Sequence, residues 1–378
     1  MRGGLGDYTR ELGIALARMG YEVHVLTHAH ARDAAHDPRV AQHLRVHPVV
    51  ASWNWRALAR VLPTLRHLRP DIVHIQYQTA AYTMHPAINT LPWWLRRTLP
   101  HVRTAITYHD LLVPYLFPKA GPARRWVTYL PARHAHIVIA TNAEDDLTLR
   151  GVGITPARIP IGPNVHPVPV SEDEARAFRA RYGIPPQADV IGYFGFLNRS
   201  KGVDDLVAAV DALVRQGRDV HLLMLGEQVG ASDPTNRAYK DEIQETVMAR
   251  GLTDRVHWTG YLDDAALSQG FATCDVVALP YRDGASLRRG TLQAALVHGA
   301  AIVTTRPRVD QGADFADAMY LVPAGDATAL ARGIATLLDT PDLRRRLQAR
   351  ARVLSEQFSW EKIAASHDRV YRSALEEA

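Results

Sequence analysis

Apolar residues along this chain fall into short runs, separated by longer stretches in which they recur every three or four positions. YEVHVLT (21–27), DIVHIQY (71–77), RTAITYH (103–109) and HIVIAT (136–141) are rich in Val, Ile and Thr and predict buried strands of a parallel sheet. Ahead of the first run, Tyr8, Leu12, Ala15, Leu16 and Met19 repeat at helical spacing. That spacing predicts a helix over 7–19, ended by Gly20. The alternation stops at a Pro/Gly cluster, ITPARIPIGPNVHPVPV (154–170), which reads as a linker. It resumes with DVIGYFGF (189–196), DVHLLMLG (219–226), RVHWTG (255–260), CDVVALP (274–280) and AIVTT (301–305). Two βα series predict two doubly wound α/β domains with a ligand cleft between them, at the strand C-termini.

Composition narrows this picture only a little. With 378 residues the chain exceeds what one core organises, in keeping with two domains. Its formal charge of +5 suits an anionic ligand or membrane surface but matches ordinary surfaces equally well. One cysteine, Cys274, excludes an intrachain disulfide and a multi-cysteine metal site. No apolar run is long enough for a transmembrane helix, and the N-terminus lacks the apolar core of a signal peptide, so a cytoplasmic protein is expected. No aromatic-interleaved basic stripe points to nucleic acid. Trp93 and Trp94 beside Arg96, Arg97 and Arg103 are candidates for peripheral contact with an anionic bilayer, or for a tryptophan pair packed under a loop.

Candidate chemistry lies where strands give way to loops. Gly3, Gly4 and Gly6 precede the first helix and would let backbone approach a phosphate or sugar closely. Such a turn hangs from a strand, and only Met1 and Arg2 come before it, so an apolar strand is expected to be encoded upstream. In YFGFLNRSKG (193–202), Arg199 and Lys201 bring positive charge to a strand end, Lys as a point charge and Arg as a fork. In PYRDGASLRRGTLQAAL (280–296), Arg288 and Arg289 precede a helix whose first N–H groups belong to Gly290, Thr291 and Leu292, a good diphosphate cradle. HIQYQTAAY (74–82) and TYHDLLVPYLFP (107–118) place Gln76, Gln78, His109 and Asp110 at strand ends of the first domain. The acidic groups Asp263–Asp264 and Glu144–Asp146 read as first-turn helix charges, and no metal site is expected.

On these residues the chain resembles the family-4 retaining glycosyltransferases of GT-B fold, over nearly its whole length. GGLGDYTRELGIALARMGYEVHVLT looks like the family's first glycine loop, helix and second strand, IPIGPNV like its crossover, and FGFLNRSKG like its phosphate-gripping loop. HWTGYLDDAALSQGFATCDVVALP, with Gly260 and Tyr261, looks like its nucleobase-side segment, and FSWEKIAASHDRVYRSAL like its last helices, which return to the first domain. The resemblance implies an N-terminal acceptor domain of residues 1–165 plus 360–378, and a nucleotide-sugar domain of residues 166–359. It implies transfer of a sugar from a nucleotide-diphosphate sugar to a glycan, lipid-linked or small-molecule acceptor, with retention and with neither metal nor further cofactor. Lys201, Arg199 and His109 would be catalytic, with the glycine loop and the 288–292 segment on the diphosphate.

Three positions depart from the family pattern. Its paired glutamates fall at Ala285 and Gln293, of which only Gln293 can hydrogen-bond a ribose. Phe196 stands where an arginine is usual. The rival readings are a nucleotide-sugar-binding protein without activity, favoured by Ala285, and a GT-B sugar-nucleotide epimerase, which would need paired acids that the loops do not offer. A dinucleotide dehydrogenase lacks its glycine fingerprint and ribose-binding acid here.

Overall fold

The computed structural model describes residues 4–111, 122–227 and 234–377. Contacts divide the chain into two compact units, Met1–Asn164 with Phe358–Ala378, and Val165–Gln357.

In the first unit, helix Gly4–Arg18 leads through Gly20, at φ +97°, into β1 (Val23–His28), which pairs in parallel with β2 (Leu44–Val50). A second parallel sheet holds β3 (Ile72–Tyr77), β4 (Arg103–Tyr108), β5 (Ile137–Ala140) and β6 (Ala157–Arg158) in that order. β2 escapes the sequence pattern because Arg45, His47 and Pro48 interrupt it. A proline is tolerated there because β2 is the outer strand of its pair, where a missing N–H disrupts no further ladder. The helix starts earlier than expected, so Gly4 and Gly6 occupy its first turn rather than a turn before it. Neither has positive φ, and the first N–H groups of any helix lack intrahelical partners.

Side chains alternate across this parallel layer. Ala105, Ile137 and Ile139 pack with Tyr8, Leu12 and Leu16 of the first helix, and with Ile363 and Tyr371 of the C-terminal helix Trp360–Glu376. Ile75, Ile106 and Tyr108 face the opposite way, onto Val61 and Leu65 of helix Trp55–Leu68 and Leu91 and Leu95 of helix Ala87–Thr98. The C-terminal helix is anchored where Gly162 lies flat against the Trp360 indole, whose N–H donates to the Pro163 carbonyl at 2.8 Å.

The second unit is a six-stranded parallel sheet. Its strands are β7 (Asp189–Phe194), β8 (Val220–Leu225), β9 (Val256–Trp258), β10 (Val276–Leu279), β11 (Ile302–Thr305) and β12 (Tyr320–Val322). The spatial order is β12-β11-β10-β7-β8-β9. β8, β10 and β11 are buried at every residue, which is why they read as continuous apolar runs without alternation. The order reverses between β7 and β10. At such a reversal the outgoing connections diverge to opposite faces and leave a crevice beyond the strand C-termini.

Candidate active site

Both strands at the reversal carry loops that the sequence had marked. β7 passes through Gly195 into the turn Arg199–Lys201 and helix Val203–Arg215, and β10 passes through Pro280–Arg289 into helix Gly290–Val297. The two loops are laced together. The Arg282 N–H donates to the Ser200 carbonyl at 2.9 Å. Gly202, at φ +67°, lies so close that a Cβ would stand 2.1 Å from the Pro280 oxygen. Gly195, at φ +133°, would put a Cβ 2.6 Å from Thr291 Cγ2. Glycine is required at both positions, by conformation and by space.

This lacing gathers cations around one aromatic ring. Lys201 Nζ sits 5.0 Å and Arg289 Cζ 4.3 Å from the centroid of the Tyr281 ring. Tyr281 is fixed through its hydroxyl, 2.6 Å from Thr291 Oγ1. Arg289 is ion-paired to Asp283, and its Nε–H is buried with no hydrogen-bond partner among the described residues. Burial foremost, with Arg289 and Arg288 adding to it against the pull of Asp283, lowers the Lys201 pKa to about 8. A half-buried cluster holding three cations against one carboxylate, with an unsatisfied guanidinium N–H, is built to receive an oxyanion.

Arg199 does not join this cluster. It is exposed, pairs with Glu242 of helix Pro234–Ala249 and lies over the Tyr239 ring. Arg289 holds the place beside Lys201 that the sequence reading assigned to Arg199. Gln293 is almost wholly buried, and its side-chain amide donates to the Leu287 carbonyl at 2.7 Å, so it braces the loop from beneath instead of presenting a group to a ribose. Gly290 is exposed and Thr291 half-buried at the helix start, whereas the Leu292 side chain is core. Gly260 bridges to Gly226 beyond β8 and β9, and Tyr261 beside it is 78% exposed, a ring free to stack on a base. Asp283, which the sequence offers as a substitute donor-sugar contact in place of Ala285, instead pairs with Arg289. Tyr281 is the residue to which the sequence gave no role, and its one signal was the Tyr-Arg-Asp-Gly turn directly after a buried strand.

In the first unit, His109 and Gln76 meet at the ends of β4 and β3, with His109 Nε2 2.9 Å from Gln76 Oε1. The Tyr371 hydroxyl lies 2.5 Å from His74 Nδ1, and His74 Nε2 lies 2.8 Å from Thr107 Oγ1. The donors and acceptors balance with every ring neutral: Tyr371 donates to His74, His74 to Thr107, and His109 Nε2–H to Gln76. Burial holds His74 well below its usual range and takes His109 down to about 3 and His367 to about 4. Neutral His109 therefore keeps a lone pair on Nδ1. Asp110 Oδ1 is buried without a hydrogen-bond partner among the described residues. Gln78 precedes the turn Thr79–Tyr82 and accepts from the Ala81 N–H through its carbonyl. Gly3 and residues 112–118 lie outside the described residues.

Asp263 and Asn142 cap helices, with Asp264 and Glu144–Asp146 in the first turns as their charge predicts. Among the described residues no three His, Cys, Asp or Glu side chains group as a metal set, and no helix is long and apolar enough to cross a membrane. Trp94 is exposed, while Trp93 is half-buried under the Arg97 guanidinium, 3.8 Å from its ring centroid.

Two Rossmann-like units, one with a cationic crevice at its strand reversal, define a transferase of the GT-B class. A family model described as "Glycosyl transferases group 1" matches residues 188–340, and a "Glycosyl transferase 4-like domain" matches residues 3–164. Between them the two glycosyltransferase domains account for most of the chain, which is a glycosyltransferase of GT-B type. It is 27% identical over 398 residues to the D-inositol 3-phosphate glycosyltransferase of Kineococcus radiotolerans, covering 99% of this chain and 91% of that one. Over half of this chain and 47% of the relative, it is 26% identical to the phosphatidyl-myo-inositol mannosyltransferase of Mycolicibacterium smegmatis. In fold it is similar to sucrose-phosphate synthase of Thermosynechococcus elongatus (TM-score 0.74, 24% identity, 100% of this chain and 94% of that one). It is similar also to the Anabaena protein HepE in complex with UDP (TM-score 0.72, 19% identity, 99% and 97%).

Proposed function

We propose that this glycosyltransferase moves a sugar from a nucleoside diphosphate sugar to a hydroxyl acceptor with retention at the anomeric carbon, and that the second unit holds the donor. The observation that carries this reading is the cluster of Lys201 and Arg289 around Tyr281 at the strand reversal. Fold neighbours solved with UDP and with UDP-glucose support the donor class. As the bond from the anomeric carbon to the phosphate oxygen breaks, its electron pair leaves on the diphosphate. Lys201, Arg289 and the N–H groups of Gly290–Leu292 stabilise that charge, with Arg288 adding to the local field. The acceptor oxygen attacks from the face the phosphate is leaving, and the phosphate oxygen takes the acceptor proton. No carboxylate nucleophile is needed, in contrast to most retaining glycosidases.

His109, with its pKa near 3, is too weak a base to take a proton at neutral pH. Its Nδ1 lone pair instead accepts from a hydroxyl and orients it, with Gln76 fixing the ring. Gln78 and Asp110 extend this polar rim. The names of the relatives favour a polyol phosphate or a lipid carrying one among the glycan, lipid-linked and small-molecule acceptors. We assign the reaction to the cytoplasm, with peripheral contact to an anionic bilayer supported by exposed Trp94 and the neighbouring arginines. A binding protein without turnover is the second reading, favoured by buried Ala285, which offers no polar group to a donor sugar.

The test is protection against heat by UDP and GDP in the presence of EDTA, together with donor turnover. Protection without metal and sugar transfer are expected. Protection that needs Mg²⁺ counts against the cationic site, and binding without transfer or hydrolysis establishes the second reading.

A further inference from the structure

Two carboxylates stand beside the cation cluster without pairing with it. Asp204 and Asp205 lie in the first turn of helix Val203–Arg215, three and four residues after Lys201. The Asp205 carboxylate folds back against the turn, with Oδ2 3.3 Å from the place a Cβ on Gly202 would take. A carboxylate this close to a lysine draws the ammonium to itself and repels an incoming diphosphate. Yet it is Asp283, and not Asp204 or Asp205, whose pull on Lys201 opposes Arg289 and Arg288. Both first-turn acids are claimed by Arg282, on the loop that follows β10. Arg282 Nε donates to Asp205 Oδ2 and one Nη to Asp205 Oδ1, each at 3.1 Å, and that Nη also donates to Asp204 Oδ2. The last of the four oxygens, Asp204 Oδ1, accepts from the Tyr239 hydroxyl at 2.8 Å. Tyr239 lies under Arg199, which is itself held by Glu242.

We propose that Arg282 is a positioning residue of the donor site: its guanidinium occupies the carboxylates of Asp204 and Asp205, which leaves the Lys201 ammonium free for the diphosphate. The proposal rests on the assignment of the diphosphate to the Lys201–Arg289 cluster. Without the Arg282 side chain, two carboxylates remain at the start of a helix, where the dipole keeps them charged. Lys201 is then the cation nearest to them in the chain, and its flexible stem lets the ammonium leave the Tyr281 ring and pair with them. The site loses its point charge and gains a competing negative field. The planar fork is what the arrangement requires, because it meets both oxygens of Asp205 in parallel and still reaches Asp204, whereas a lysine there offers one point charge. The role is separable from the lacing of the two loops. Arg282 holds the Ser200 carbonyl through its backbone N–H, at 2.9 Å, and that bond survives a change of side chain.

Lys201 is one of only four lysines, with Lys119, Lys240 and Lys362, so carbon NMR of lysine-labelled protein follows its titration directly. UDP affinity is measured on the same proteins by calorimetry in EDTA, and thermal melting checks that each is folded. Arg282→Met should raise the Lys201 midpoint from about 8 to about 9 or above. It should also weaken UDP binding at pH 7 by roughly tenfold or more. Adding Asp204→Asn and Asp205→Asn to Arg282→Met should return the midpoint to about 8 and the affinity to within about threefold of the parent, since no charge is left to shield. Arg282→Lys, which keeps a cation against the carboxylates, should fall between parent and Arg282→Met in both readouts and carries the test if Arg282→Met does not fold. An unchanged Lys201 midpoint in the folded Met and Lys variants overturns the proposal. So does an affinity that stays low once both carboxylates are removed, which marks a purely structural brace. Failure of the unsubstituted protein to bind UDP overturns the donor assignment itself, whereas the Lys201 midpoint reads the shielding without any ligand.

Discussion

Lys201 links the electrostatics of the candidate site to two measurable quantities of opposite sign. Its pKa of about 8 in the folded chain lies well below the 10.5 of the free side chain, so the fold disfavours its charge. Below pH 8 the lysine is protonated in both states, and the mismatch costs about 3 kcal/mol of stability. The cost fades as pH rises from 8 to 10.5, where the folded state has already lost its proton. Lys201→Met should therefore stabilise the ligand-free protein by a few kcal/mol at pH 7, and the gain should vanish near pH 10.5. The same substitution removes a charge-assisted contact worth about 1.5–3 kcal/mol, which weakens UDP binding roughly 10- to 150-fold. Turnover should fall by about a hundredfold or more, because the charge on the leaving group peaks in the transition state. In the unsubstituted protein about nine-tenths of Lys201 is charged at pH 7 and about one-tenth at pH 9, so UDP affinity should drop close to tenfold between them. Calorimetry across that range, with chemical denaturation of both proteins, measures all of this. Arg199→Ala is the control and should change affinity less than about threefold, since that side chain is committed to a surface ion pair. A Lys201→Met protein less stable than the parent at pH 7, or a flat affinity profile between pH 7 and 9, would refute the reasoning.

Gly202→Ala should destabilise the second unit by several kcal/mol and abolish UDP protection, because its Cβ would collide with the Pro280 carbonyl at a φ that alanine avoids; thermal melting with and without UDP reads both effects. The first unit should lose stability as pH falls from 6.5 towards 4. His74, His109 and His367 stay neutral in the fold while their unfolded forms protonate, and each contributes up to about 2 kcal/mol of loss at pH 5. Denaturation at pH 7 and pH 5 tests this, and a stability that does not change would refute the neutral network.

Much of the site was legible where a residue type at a strand end admits one use. Lys201 and the 288–292 segment stood out because cations and a helix start follow buried strands. Gln293 and Arg199 were misleading because their chemistry suits a ligand, while their neighbours claim it: the Leu287 carbonyl takes one amide, and Glu242 takes one guanidinium. Neither neighbour is close enough in sequence, or patterned enough, to reveal the contact. The Arg289–Asp283 pair and the Tyr281 platform depend on how one turn folds back on itself, which side-chain identity alone does not encode.

By itself the sequence determined which segments are strands of a parallel layer. Burial on both faces forces continuous Val/Ile/Leu runs, and those runs appear within two or three residues of β3, β4, β5, β7, β8 and β10. It also determined where the chain passes from one α/β series to the next. What needed the tertiary structure was everything set by lateral order. The reversal between β7 and β10 brings residue 201 beside residue 281. Strand order arises from contacts between segments far apart in the chain, and periodicity along a segment carries no record of its neighbour.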